Sequence, residues 1–333
     1  MQMMPIKSIK GVRQFYIYKD AEVVVFKDKV CIRDKELDAN DEEDYCVDHG
    51  VLTKLIYNDP TETEYVFVND HFEEFRTKYK HVNHFSPNAY YSCEDDEDGG
   101  EKYCISDHGE EYSFTTREQV RAYIAKYDTK SSILMIPLWD DKTLVFYTKT
   151  GQRLWEYKEK EEKLKLSGKC ISVVDDVVVV ISLYGARPKK IQGFNIRTGK
   201  RLWVIQSDAK YESDTFFIGE DKMLYGCRGY MIIPGIGITM LNPITGKLDV
   251  NLINTDEEFD FMPNEVTMQG RQLYFVNHRK GNEIGVIDVD KKELVERVPL
   301  NIKKKVTIGA LVVTDDKVYV FICDLQDFRV FEK

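Results

Sequence analysis

Five of the six histidines and four of the seven cysteines lie before Lys130, and imidazole and thiolate are what a zinc tetrahedron takes. Cys46 and His49 have two residues between them, Cys104 and His108 three, and His81 and His84 two, so each pair can reach two adjacent corners. A second reading needs no metal. Tyr45-Cys46-Val47-Asp48-His49-Gly50 is nearly repeated as Tyr103-Cys104-Ile105-Ser106-Asp107-His108-Gly109, and strand-forming residues flank both copies, which makes them a pair of hairpin turns. The sequence has no Cys-x-x-Cys beside them, so no metal and no cofactor is assigned. It also has no Gly-x-Ser-x-Gly elbow, no His-Glu-x-x-His and no phosphate-cradling Gly-x-x-x-x-Gly-Lys-Ser/Thr. Acidic residues are too numerous for sequence to single out an acid and a base.

Charge offers a different kind of site. The chain carries a formal net charge of −10, and up to Lys130 about 17 basic residues stand against about 28 acidic ones, so the excess belongs to the N-terminal third. Its densest runs include Asp41, Glu42, Glu43 and Asp44, and Glu94, Asp95 and Asp96. Such runs are either solvated loops or an acidic sector that repels nucleic acid and steers a basic protein toward itself.

These candidates have to be positioned by a repeat. Thr150-Gly151-Gln152-Arg153-Leu154-Trp155 recurs as Thr198-Gly199-Lys200-Arg201-Leu202-Trp203 and more weakly as Thr245-Gly246-Lys247-Leu248, with the turn-like Asp288-Val289-Asp290-Lys291 further on. The interval of roughly 47 residues is the period of a four-stranded propeller blade. Gly suits the positive φ of a hairpin turn, and the Trp beyond it is a large apolar anchor expected to pack between blades. The last unit supplies three strands, 308–313, 317–322 and 328–331, so an N-terminal strand, 14–18 or 22–26, is expected to complete it and remove an open edge.

The Thr-Gly-(Gln/Lys)-Arg-Leu-Trp motif resembles the PQQ-like repeat of quinoprotein-type β-propellers over about 200 residues. The resemblance implies a propeller. In its enzymatic members it also implies export, calcium, a quinone, a catalytic Asp and often adjacent cysteines. This chain has no adjacent cysteines, and residues 1–10 lack the apolar stretch of a secretory signal. A cytoplasmic protein without quinone chemistry is therefore expected, and seven irregularly spaced cysteines fit a reducing compartment. Cys170, Cys227 and Cys323 sit in apolar strand patterns and are expected in the core.

Residues 1–130 contain two capping-box signatures. Asp70-His71-Phe72-Glu73 precedes Phe72, Phe75 and Tyr79 at helical spacing, and Thr115-Thr116-Arg117-Glu118 precedes Val120, Tyr123, Ile124 and Tyr127. Two architectures follow: blades with two short inserted helices, or a small α+β subdomain before the PQQ-like blades of 131–333. The first is preferred, giving an all-β propeller of about seven blades. In each blade one loop joins the second and third strands, opposite the Thr-Gly turns. Those loops bring out Arg187, Lys189 and Lys190, then Arg228 with Tyr230, then His278, Arg279 and Lys280. The expected function is a monomeric, non-catalytic protein-binding scaffold, such as an immunity-like neutraliser of a basic enzyme, contacting its partner through these cations and the acidic sector. The alternative is a propeller hydrolase or lyase with a metal-assisted site in the channel or the N-terminal hairpins.

Overall fold

Asn195 opens the turn that the Thr-Gly motif announces. In a computed structural model of the chain, its Oδ1 accepts hydrogen bonds from the backbone N–H of Arg197 (3.2 Å) and Thr198 (2.9 Å), and Gly199 N–H donates to its carbonyl at 2.9 Å. Asn242 does the same for Ile244, Thr245 and Gly246, and Asp288 Oδ1 accepts from Asp290 and Lys291. An Asx side chain thus replaces the backbone partners that a tight turn leaves out. Gly199 and Gly246 have φ of +68° and +72°, a region that side chains rarely adopt.

The glycines have a second reason to be glycine. A Cβ on Gly199 would lie 2.5 Å from the Trp155 ring, one on Gly246 would lie 2.6 Å from Trp203, and one on Gly151 would lie 2.3 Å from Phe114. The last strand of one sheet therefore seats its aromatic ring on the turn glycine of the next. Trp155 Nε1 donates to Ile196 O (2.7 Å) and Trp203 Nε1 to Pro243 O (2.8 Å), which fixes the contact. Packing of Trp between successive sheets is the arrangement anticipated from the repeat.

The structure describes all residues except 1–2, 19–20, 34, 41–42, 49–50, 60–61, 69–72, 77–81, 87–88, 96–100, 119–124, 186, 208–211, 231–232, 262–264, 280–281 and 303–305, with backbone alone at some strand positions. Among the described residues there are eight four-stranded antiparallel sheets. In chain order they span 14–38, 43–76, 82–116, 126–158, 165–206, 217–253 and 266–299, and the eighth is Ile308–Val313, Lys317–Ile322 and Asp327–Glu332 joined by Met4–Lys10. Two compact units divide the chain: Tyr16–Glu162 with Asn195–Lys200, and Met1–Phe15 with Lys163–Phe194 and Arg201–Lys333.

In the first unit, buried clusters join the 14–38 sheet to the 43–76 sheet, around Val23, Ile32, Tyr45 and Leu52, and the 82–116 sheet to the 126–158 sheet, around Tyr103, Ile105, Ile136 and Val145. In the second unit, Ile191 and Leu224, then Phe259 and Phe275, then Val286 and Val320 belong to clusters bridging its consecutive sheets. Strands such as Val177–Tyr184, whose first six residues are all buried, are apolar on both faces.

Three expectations are corrected. Eight sheets replace about seven, because three complete sheets fit between residues 14 and 116, the first built from strands of four or five residues. No α-helix occurs among the described residues. Phe75 belongs to the edge strand Glu74–Arg76, paired with Val66–Val68, and cross-strand pairing overrides its helical spacing. Thr115 and Thr116 end the strand Glu110–Thr116, and Tyr127 lies in Lys126–Asp128; Phe72, Tyr79 and residues 119–124 are outside the described residues. Finally, the strand that joins the C-terminal sheet is Met4–Lys10, while Gln14–Tyr18 and Ala21–Val25 belong to the 14–38 sheet. Asp327, fully buried, secures it by accepting from Lys10 (2.6 Å) and Ser8 (2.8 Å).

Candidate interaction surface

In every meander the first-to-second and third-to-fourth turns fall at one end and the second-to-third loop at the other. The connection to the next sheet leaves from that second end, called here the connection end. Within the second unit the turn end is stitched from sheet to sheet: Lys222 to Asp175 (2.9 Å), Arg271 to Asp221 (2.8 Å) and Gln269 to Asp315 (2.8 Å).

The expected cations lie at the connection end of this unit, but most are engaged within it. Arg187 opens the strand Arg187–Asn195 and is exposed, whereas Lys189 and Lys190 lie inside that strand, half-buried, with Lys190 opposite Gln206. Arg228 Nη1 donates to Glu212 O (3.3 Å). Burial pushes the carboxyl of nearby Asp214 up, and Arg228 opposes that shift. Arg279 pairs with Glu258 (2.9 Å). Lys280 is outside the described residues, as is the side chain of Tyr230.

His278 turns inward. Its Nε2 lies 2.6 Å from Glu265 Oε1 and its Nδ1 3.0 Å from Asn282 Oδ1, and the side chains of His278 and Glu265 are 3% and 6% exposed. Asn282 Nδ2 continues to Ile302 O (2.9 Å). Beside them, Asn277 Oδ1 accepts from the backbone N–H of Asp260 and Arg279, and its Nδ2 donates to Glu283 (2.8 Å). Arg297 grips Glu283 with two nitrogens and Glu257 with the third (2.8 Å). The carboxylates hold its guanidinium still more firmly protonated than usual. These groups pin an irregular connector, a loop and a strand together.

Two large aromatic side chains at second-to-third loops point outward instead. Tyr184, at the end of Val177–Tyr184 in the second unit, and Trp139, between Ile133–Pro137 and Thr143–Thr148 in the first, are each 53% exposed. The Trp139 loop is pinned. Asp140 accepts from the N–H of Lys142 and Thr143 and from the Thr143 hydroxyl, and Lys142 Nζ donates to the carbonyls of Glu161 and Glu162. Burial acts against the Asp140 carboxylate, yet these donors hold its carboxyl below the usual range.

Of the acidic candidates, Glu43 is bound to Lys54 (2.9 Å), with side-chain exposures of 14% and 11%, and Lys54 also holds Glu74. Asp44 follows in the strand Glu43–Asp48, where it raises the pKa of Tyr57, after burial. Glu94 and Asp95 end the strand Ala89–Asp95, and Asp41, Glu42 and Asp96 are outside the described residues. Among the histidines and cysteines weighed for zinc, His49 and His81 are outside the described residues. His108 Nδ1 bonds Asp107 (2.7 Å), which also accepts from Tyr127 OH (2.7 Å). Cys46 and Cys104 lie half-buried in the strands Glu43–Asp48 and Glu101–Asp107, and among the described residues no three His, Cys, Asp or Glu are grouped to hold a metal. Cys227 is buried and its thiol pushed up by burial; Cys323 is exposed, contrary to expectation, because it starts the short 3₁₀ turn Cys323–Leu325.

The sequence model of the family described as outer membrane protein assembly factor BamB matches residues 98–203 and 173–331, most of the repeat region. The chain belongs to this PQQ-like repeat family. Solved structures agree on the fold. BamB from Moraxella catarrhalis matches at TM-score 0.58 and 13% identity, covering 99% of this chain and 100% of that one. The β-propeller domain of Cps50 (Swd1) from Myceliophteria thermophila matches at 0.52 and 11%, covering 89% and 98%. The dihydro-heme d1 dehydrogenase NirN matches at 0.59 and 12%, covering 86% of this chain and 66% of that one. No curated protein matches the chain. At such identities the likeness establishes a β-propeller, a frame that carries an assembly factor in one case and a dehydrogenase in another.

Sequence reasoning missed Glu265, Asn277, Asn282 and Arg297, whose partners lie up to 40 residues away in the chain. It also missed Trp139 and Tyr184, although a Trp or Tyr beside a loop rather than within an alternating strand was a usable signal.

Proposed function

We propose that this PQQ-like propeller is a non-catalytic scaffold that takes up a protein partner on the loops joining second to third strands. The observation that carries the reading is the exposure of Trp139 and Tyr184, 53% each, at such loops. Trp and Tyr lead the residue types that dominate binding energy, and a loop already ordered loses little entropy when it binds. The described charged groups of the connection end in the second unit are largely taken up in holding the frame, which favours recognition over chemistry. The family's description as an assembly factor supports a role in holding proteins together.

The finer version is a cytoplasmic monomer that neutralises a basic partner. It draws on the net charge of −10 and the acidic runs Asp41–Asp44 and Glu94–Asp96, with Arg187, Lys189 and Lys190 setting orientation. Capture of partners by the intact protein from its own lysate, with cross-linking to locate contacts, tests both levels. Trp139→Ser and Tyr184→Ser are expected to weaken capture at least about tenfold, the scale of an interface hot spot. Charge reversal of Glu94 and Asp95 is expected to lower capture in low salt only. Undiminished capture by the aromatic variants overturns the reading.

A further inference from the structure

The His278 ring meets an oxygen at each nitrogen: Glu265 Oε1 at 2.6 Å and Asn282 Oδ1 at 3.0 Å. The amide of Asn282 cannot be turned round, because its Nδ2 donates to Ile302 O at 2.9 Å. An amide oxygen only accepts, so Nδ1 carries a proton. A second proton has to sit between Nε2 and Oε1; otherwise two lone pairs face each other in a site whose side chains are 3% and 6% exposed. The elements that carry and flank the pair bear further described charged groups. Glu257, Glu258 and Asp260 come from the incoming connector and Glu283 from the strand Glu283–Asp288, set against Arg279 of the loop and Arg297 of the last strand.

We propose that this shared proton is an acid-tightened latch on the connection end of the second unit. With the proton in place, His278 ties together the start of Val266–Gln269, the loop bearing Arg279 and the segment at Ile302. Without it the neutral ring has one N–H for two oxygens, and one of its contacts to Glu265 and Asn282 is lost. A free imidazole gives up its proton near pH 6.5. A folded site that holds on to that proton contributes its full stabilisation below this pH and loses it as the pH rises beyond. The latch is therefore tight in mild acid and slack in mild alkali. Its functional meaning, stronger capture in acid, rests on the reading of this end as a partner surface.

The test reads the loop itself. Histidine side-chain nitrogen NMR of the intact protein, with His278 assigned by the signal lost in His278→Gln, reports which ring nitrogens are protonated. Amide exchange over residues 277–283, corrected for intrinsic rate, reports opening. A ring carrying protons on both nitrogens is expected at about pH 6. Exchange should be at least about tenfold slower at about pH 6 than at about pH 8. In Glu265→Gln, whose amide can donate to a neutral ring, the fold should persist and this pH dependence should vanish. An Nε2 without a shared proton at about pH 6, or unchanged pH dependence in Glu265→Gln, overturns the latch. Either failure leaves the partner-binding reading intact, because that reading is judged on the Trp139 and Tyr184 variants.

Discussion

The two ends of the sheets in the second unit are built by different rules. At the turn end, Asn242 and Asp288 open short Asx turns, Trp203 of the preceding sheet sits on the positive-φ Gly246, and Asp–Lys and Asp–Arg links stitch neighbouring turns. At the connection end, irregular connectors are held by a non-repeating set of buried polar side chains around His278, Asn277 and Arg297. Repetition serves stability, because each sheet must present the same surface to its neighbour. Variation serves recognition, because loops on a rigid frame change without disturbing it.

Tryptophan gives the sharpest way to break this contrast, since Trp203 sits on a turn-end glycine in the second unit while Trp139 is exposed at a second-to-third loop in the first. Trp203→Ala removes the ring seated on Gly246 and should cost about 3 kcal/mol or more in urea unfolding. Trp139→Ala, at an exposed tip, should stay within about 0.5 kcal/mol while impairing capture. Equal losses of stability would erase the distinction.

The clasp on Met4–Lys10 comes next. Burial acts against the Asp327 carboxylate, but Lys10, Ser8 and Arg329 hold its carboxyl below the usual range. A carboxyl lowered in this way stabilises the fold above its unfolded value, about 3.9, and the contribution fades as the pH falls below that. Asp327→Ala, which strands Lys10 and Arg329, is expected to cost about 3 kcal/mol at neutral pH and to flatten the acid side of the stability profile. Thermal unfolding between about pH 3 and 7 measures both.

Gly246→Ala should cost roughly 1–3 kcal/mol, from the left-handed backbone and the 2.6 Å approach to Trp203. A neutral result would mean that the ring is not seated there. The smallest effect is expected from Arg271→Ala. Its links to Asp221 and Asp290 are partly exposed, so the loss should stay below about 1 kcal/mol and shrink in high salt.

The same contrast decides what could be read without coordinates. The Thr-Gly-x-Arg-Leu-Trp unit places turn, glycine and anchor within six residues, so its spacing announced sheets and the Trp between blades, while its residues carried the resemblance to the PQQ-like family. Phe75 misled because its edge strand Glu74–Arg76 is supplied with hydrogen bonds by its partner Val66–Val68, whatever the local spacing suggests. Met4–Lys10 escaped notice because Pro5 and three polar residues weaken its pattern, and its place depends on Asp327 more than 300 residues away. His278 was visible as a loop cation. Nothing local signalled that Glu265, 13 residues earlier, would draw it inward.

The most direct test of the central claim is a comparison of partner capture, on equally folded protein, between Trp139→Ser with Tyr184→Ser and a turn-end variant such as Lys247→Glu with Lys291→Glu. Recognition at the second-to-third loops predicts that the first pair loses the partner while the second retains it. Loss confined to the turn-end pair would contradict the account.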